Sequence, residues 1–392
     1  MSGTDTGLNF ELTSEQTGLR AMVREFVEKE CPKQVARDLE ASDSYPADLA
    51  RRIADAGLNG IGVAVAYGGQ GGNLIDQVIV CEELSRSLAG LTWLWGITVW
   101  SGAKAISNHG SDSQKRTYLP AIANGDLTFA FALTEADGGT DVLRAIRTTA
   151  RQVPDGFLLR GTKIWSTTAH VADRIMVLAR TSRHDKPSKG LTVFLVDRRS
   201  EGVTATPIPK IGMRSLGSCE VVLDDVLVPE SDVLGEVDEG WSQILSSLNS
   251  ERIMTAAMCT GILHGVLEDA LEYAGHREAF GKKIGAMQAI QHGIADIAMK
   301  FHTAWLLTYR AAWLEQSGRP CGVEATMAKC LAAEYATEAA DFGIQILGGY
   351  GYSQEYNMQR YWRDARLYRI GPITSEMARN YIGENLGLPR SF

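Results

Sequence analysis

GFLLRGTKIWST, residues 156–167, decides the fold. It follows an Asp155-Gly156 turn and reads as a β-rich run with β-branched and aromatic residues. Downstream lie RIMVLART, LTVFLVD, VTATPIPK and CEVVLDDVLVP, joined by connections too short for crossover helices. This predicts an antiparallel sheet or small barrel. Working outward in both directions, the texture is helical. Thr13 with Gln16 three residues on opens an amphipathic run, with Leu19, Met22, Val23, Phe26 and Val27 at helical spacing before Pro32. Further helical patterns cover 47–57, 74–90, 97–109 and 113–124. After Gly240 they resume over 241–276, 285–317, 323–347 and 374–386. The expected architecture is therefore mainly α: an N-terminal helical domain (1–126), a middle β domain (127–236) and a C-terminal four-helix bundle (237–392).

Composition narrows the function. The 392 residues are 45% apolar and 22% charged, ordinary for a globular chain. With 39 basic against 47 acidic residues and no basic run, nothing resembles a nucleic-acid footprint. The six cysteines, 31, 81, 219, 259, 321 and 330, form neither a C-x-x-C pair nor a metal-ligand cluster, and read as reduced thiols. No run approaches a membrane span, and the first sixteen residues show neither a signal nor a transit pattern, so a cytoplasmic location is expected. GIGVAVAYGGQGG (60–72) follows a helical pattern without spelling G-x-G-x-x-G before a helix, and reads as a glycine-rich loop.

Four motifs carry a resemblance. FALTEADGGTD (131–141), GTKIWSTTAH (161–170), HREAFGKKIGAMQAIQ (276–291) and QILGGYGY (345–352), in this order across most of the chain, are similar to those of the acyl-CoA dehydrogenase family. The resemblance implies a non-covalent FAD between the β domain and the C-terminal bundle, with its adenosine half touching a neighbouring subunit of a homotetramer or homodimer. It implies that Leu133 and Thr134 bond the polar flavin edge, that Trp165 covers a ring face, and that Thr167 sits near N5. Thr140 would face both the flavin and the CoA arm. Arg277 and Phe280 would meet the pyrophosphate and adenine, Gln345, Gly348 and Gly349 the same dinucleotide, and Gly139 and Thr374 complete the cofactor set. No metal is implied.

The reaction implied is removal of the proton next to a thioester carbonyl, with hydride transfer from the next carbon to the flavin. It needs a carboxylate as base. In many members that glutamate lies in the segment matching YRIGPITSEM (368–377), where this chain has Pro372. The isovaleryl-type and long-chain-type members place it instead just before an arginine on the first long helix after the β domain. That segment reads LNSERIM here, which assigns the role to Glu251 and a substrate-arm contact to Arg252. Ile244, Leu248, Glu251, Thr255 and Met258 fall at helical spacing, which places the carboxylate on an otherwise apolar stripe. Taken alone, that pattern fits better a buried ion pair with an arginine, or a helix phase that leaves Glu251 in water; the proline at 372 and the family resemblance reverse that preference. Proline also lacks the N–H that this slot lends to the thioester oxygen, a loss on the order of 2–3 kcal/mol of transition-state stabilisation unless Ile373 donates instead.

TWLWGITVW (92–100) places Trp93, Trp95 and Trp100 in one helix, where the family builds the floor of its acyl cavity. Large rings there point to short, branched or cyclic acyl groups, and they equally fit a core or subunit contact. The thioester is that of CoA or an acyl-carrier protein, and the implied electron acceptor is an electron-transferring flavoprotein. The alternatives on the same fold are a flavin oxidase or monooxygenase, or a non-catalytic flavoprotein assembly subunit.

Overall fold

The computed structural model describes residues 10–391; the start of the N-terminal stretch used above for localisation, residues 1–9, lies outside the described residues. Helix α1 (Ser14–Glu30) opens as read, with the Thr13 hydroxyl accepting from the Gln16 N–H at 3.2 Å and the Gln16 side chain accepting from the Thr13 N–H. Such a box stabilises a helix start by about 1 kcal/mol. Pro32 ends α1 but also caps α2 (Lys33–Ser42), which the sequence reading passed over; a proline has no N–H to leave unbonded at a helix start. Then come α3 (Ala47–Asp55), α4 (Leu74–Ser87), α5 (Ala89–Gly96), a π-helical turn (Ile97–Ala103), α6 (Lys104–His109) and α7 (Asp112–Ala123). The three tryptophans therefore do not share one helix: Trp93 and Trp95 lie on α5 and Trp100 on the π turn. A Cβ at Gly96 would lie 2.4 Å from the Trp100 ring, so glycine is what admits the indole there.

The middle region contains β1 (Phe129–Ala132), a short α8 (Val142–Ala145), β2 (Thr149–Val153), β3 (Gly156–Thr167), β4 (Arg174–Arg180), β5 (Leu191–Asp197), β6 (Val203–Pro207), β7 (Ser218–Val228) and β8 (Val233–Leu234). The sheet order is β6-β7-β3-β2-β4-β5-β8, with β1 also paired to β4. This corrects the expected antiparallel sheet or barrel. The sheet is mixed, because β1 runs parallel to β4 with Phe129 opposite Arg174, and β2 meets β4 in parallel at Thr149 and Arg180. It does not close among the described residues, where β6 and β8 are its ends. Short turns dictate antiparallel pairing only for strands they join, as in the β2–β3 hairpin. The 133–148 segment separates β1 from β2 and frees the direction of β1.

The C-terminal region comprises α9 (Gly240–Leu245), α10 (Leu248–His276), a hairpin of β9 (Glu278–Ala279) and β10 (Lys282–Lys283), α11 (Gln288–Gln316), α12 (Gly322–Leu347), α13 (Gly349–Tyr352), α14 (Met358–Leu367) and α15 (Ser375–Asn385). Helix α10 packs against α4, α11 and α12, so the N- and C-terminal helices share one core while the sheet keeps another. Consequently α10 has no single apolar stripe: Ile253 to Leu263 is buried all round. Glycines allow the approach, since Cβ atoms at Gly261 and Gly265 would lie 2.2 and 2.4 Å from the carbonyls of Glu82 and Arg86 on α4. The continuous 241–276 helix is likewise broken, so Ile244 (α9) and Glu251 (α10) are on separate elements. All six cysteines are buried and unpaired. Among the described residues no helix is long and apolar enough to cross a membrane, and no cluster of His, Cys, Asp and Glu suits a metal.

Candidate active site

The loop leaving β1 is held by a buried ion pair that the sequence reading did not single out. Lys163, on the inner face of β3, has Nζ 2.8 Å from Glu135 Oε1 and 3.1 Å from the Leu133 carbonyl. Glu135 also accepts from the N–H groups of Arg147 and Thr148 at 2.7 and 3.0 Å. Burial pushes the Glu135 carboxyl up, but the Lys163 charge and these bonds outweigh it and hold the group below the usual carboxylate range. Ile164 N–H donates to the Thr134 carbonyl at 2.9 Å, so Leu133 and Thr134 are tied to β3 from two sides. Both members of the pair lie inside quoted motifs. In β3 the buried Phe157 and Leu159 share odd register with Lys163, and a cation on that inward face requires an anion opposite.

On the same strand a β-bulge between Lys163 and Ser166 turns Trp165 outward, at φ +62° and 57% exposed. Thr167 beside it is half-buried, and Gly139 and Thr140 are exposed on the β1–β2 connection. A second group lies at the C-terminal ends of α10 and α12. Arg277 is exposed, Phe280 is 96% exposed at φ +53° in the β9–β10 hairpin, and Gln345, Gly348 and Gly349 are exposed with nothing within 4 Å of either glycine's Cβ position. Tyr273 O–H donates to the Leu347 carbonyl at 3.4 Å and joins the two helix ends. No hydrogen bond, ion pair or ring contact links the Trp165 group to the Phe280 group among the described residues. Thr374 caps α15 through its hydroxyl, which accepts from Met377 N–H at 3.2 Å.

Glu251 lies in the first turn of α10 and lines a cavity of about 60 Å³ with Trp100, Phe131, Met176, Ile244 and Ser250, among others. Its half-buried carboxylate makes no hydrogen bond or ion pair among the described residues. Burial pushes its pKa up to about 7, against the pull of the Arg252 and Lys329 charges. Arg252 stacks over Tyr381, 5.0 Å from the ring centroid. Of the three tryptophans, Trp100 lines the cavity. Trp95 is buried with its N–H donating to the Leu58 carbonyl at 2.9 Å, and Trp93 donates to Tyr368 Oη at 3.0 Å. Across the helices, Pro372 is exposed in the 368–374 loop, and the neighbouring Ile373 N–H has no hydrogen-bond partner among the described residues.

Comparison with known proteins completes the picture. Sequence models of the acyl-CoA dehydrogenase N-terminal, middle and C-terminal domains match residues 13–126, 130–226 and 238–387 in turn. The chain belongs to the acyl-CoA dehydrogenase family. It is 36% identical over 380 residues to the probable acyl-CoA dehydrogenase YngJ of Bacillus subtilis, covering 97% of this chain and all of that one. It is 35% identical to the caffeyl-CoA reductase-Etf complex subunit CarC of Acetobacterium woodii, covering 94% and 97%. A glutaryl-CoA dehydrogenase from Mycobacterium smegmatis in complex with FADH2 superposes with a TM-score of 0.91 at 28% identity, over 97% and 96% of the two chains. As a member of this family the protein is an FAD-dependent oxidoreductase acting on CH–CH bonds.

The residues present fit that cofactor. An indole turned out of a strand and a phenyl ring left 96% exposed have no intramolecular reason to face water, and both offer apolar faces to flat rings. The open glycines at 348 and 349 let a dinucleotide approach the backbone. The dehydrogenase's Lys163–Glu135 pair holds the peptide groups that would meet the flavin edge.

Proposed function

We propose that the enzyme forms 2,3-enoyl thioesters, with Glu251 as the base that takes the proton next to the thioester carbonyl. FAD, when bound, supplies the acceptor for the hydride of the neighbouring carbon. The observation that carries this reading is a carboxylate at the wall of a cavity, without a hydrogen-bond or ion-pair partner among the described residues and raised to about 7, while the loop position holds Pro372. A base poised near neutrality is deprotonated when needed and still basic enough to accept a proton. The free Ile373 N–H supports a donor displaced by one residue to replace the one that proline lacks.

Arg252 would hold the pantetheine-like arm, since its guanidinium is fixed over Tyr381 with its edge N–H groups available. The rings of Trp100 and Phe131 beside Glu251 favour short, branched or cyclic acyl groups over long straight ones. The separation of the flavin residues into two groups supports a cofactor shared between subunits of a homotetramer, and the relative in an Etf complex supports an electron-transferring flavoprotein as acceptor. A cytoplasmic site of action completes the reading, and the thioester carrier is CoA or an acyl-carrier protein.

The test is anaerobic mixing of FAD-loaded enzyme with straight, branched and cyclic acyl-CoAs, following flavin absorbance, with Glu251→Gln in parallel. Bleaching by wild type and tight binding without bleaching by the variant are expected. Equal bleaching by both removes Glu251 from the role. Oxygen uptake with peroxide formation would instead make the chain an oxidase.

A further inference from the structure

Lys329 on α12 is fully buried, at 0% exposed, and no carboxylate lies within ion-pair distance of it among the described residues. An ammonium in that position costs several kcal/mol unless its protons are used. They are used on main-chain carbonyls: Nζ donates to Tyr368 at 2.6 Å and to Ile373. These are the two ends of the loop that carries Pro372. The loop is fixed at the Tyr368 side chain as well, whose hydroxyl accepts from Trp93 Nε1 at 3.0 Å and lies 3.3 Å from the Met258 sulfur on α10. Trp93 in turn meets Trp100, with ring centroids 5.5 Å apart, and Trp100 lines the Glu251 cavity. A continuous chain of contacts thus runs from the cavity wall to the peptide of Ile373.

We propose that Lys329 is the positioning residue of this site: it pins the carbonyl of Ile373, and through it the backbone of the residue whose own N–H is free, and it supplies the positive charge that faces Glu251 from α12. The proposal rests on the reading of Glu251 as base. The groups facing Glu251 are Arg252 from its own helix, Lys329 from α12 and, around the same cavity, His109 from α6. Lys104 on α6 and Glu315 on α11 are engaged with each other through Ser250. Those facing Lys329 are Cys259, Arg252 and Glu251 from α10 and Cys330 from α12. Of these, Arg252 and Lys329 are the cations that oppose the upward push of burial on Glu251, and Lys329 is the one that also touches the loop.

The experiment compares Lys329→Met and Lys329→Arg in the full-length, FAD-loaded enzyme, with Glu251→Gln alongside. One readout needs no turnover: amide hydrogen exchange of peptides spanning 368–375. Lys329→Met should speed exchange there about tenfold or more, because two carbonyl anchors are lost. The second is the pH profile of anaerobic flavin bleaching. Its midpoint should rise by about one unit in Lys329→Met, since a cation that favours the carboxylate is gone. kcat should fall on the order of 100-fold with KM little changed, the signature of misplacement rather than lost binding. Lys329→Arg keeps the charge and should restore the midpoint without restoring the full rate. If Lys329→Met does not retain FAD, Lys329→Gln, a shorter neutral donor, is read against Lys329→Arg in the same two assays. Unchanged exchange, or an unchanged pH midpoint in a neutral variant, overturns the proposal. Wild-type bleaching by Glu251→Gln would overturn the reading of the base while leaving the exchange result to decide the anchor.

Discussion

Glu135 is buried and Glu251 half-buried in the same chain, and their surroundings shift the two carboxyls in opposite directions. Glu135 meets a lysine on a neighbouring strand and two backbone N–H groups, so ionisation is favoured in spite of burial. Glu251 meets a cavity and two cations that do not bond it, so burial prevails and its pKa rises to about 7. The first arrangement makes a rigid strut under the Leu133–Thr134 loop. The second leaves a carboxylate able to gain and lose a proton. What separates the lowered carboxyl from the raised one here is the number of donors within reach, since burial pushes both up.

The comparison breaks most visibly at Glu251, the proposed base. Glu251→Gln should lower the anaerobic bleaching rate by about 10²–10⁴-fold, the usual contribution of a general base, with FAD content unchanged. At the strut, Glu135→Gln leaves Lys163 charged and buried, and should destabilise the fold by about 3–5 kcal/mol in urea unfolding, with loss of bound FAD. A difference under about 1 kcal/mol there would mean that Lys163 is neutral and the pair is not ionic.

The two stability profiles should also have opposite slopes. Glu135 has a lowered pKa, so its contribution is present above the normal carboxylate range and fades as pH falls below it. Glu251 has a raised pKa, so the fold is unburdened at acid pH and carries the cost of ionisation as pH rises through about 7. Glu251→Gln should therefore be more stable than wild type by about 2–3 kcal/mol above that pH, and close to equal to it near pH 4.5. Urea midpoints measured on both sides of neutrality would show it; a constant difference across the range would place Glu251 in contact with water. Smallest of all, Trp100→Leu should shift relative kcat/KM towards longer acyl-CoAs by about tenfold, in keeping with 1–3 kcal/mol per methylene accommodated.

Much of this was legible in the chain. The change from helical to strand texture near residue 127 and back after Gly240 is local, and so are the capping box at Thr13 and the motifs that carry the family resemblance. The direction of β1 was not, because it depends on pairing with β4 across an intervening segment, and neither was the break between α9 and α10. The helical spacing that placed Glu251 on an apolar stripe rested on a helix that does not run through residue 246; the burial it suggested comes instead from the cavity wall. Lys163 and Lys329 were overlooked although each left a signal, a charge at an inward position of a strand and of an alanine-rich helix respectively.

The sequence by itself determined the order of helix, strand and helix, the family and its cofactor, and that Pro372 stands in the loop slot while a glutamate, Glu251, precedes an arginine after the β domain, because those are written in residue identity and spacing. Only the tertiary structure decided which of the two carboxylates is paired and which has no partner among the described residues, and which loop a buried ammonium holds. Desolvation and the distance to a partner are properties of residues brought together from separate elements, as Lys163 is to Glu135 and Lys329 to Ile373, and no local pattern contains them.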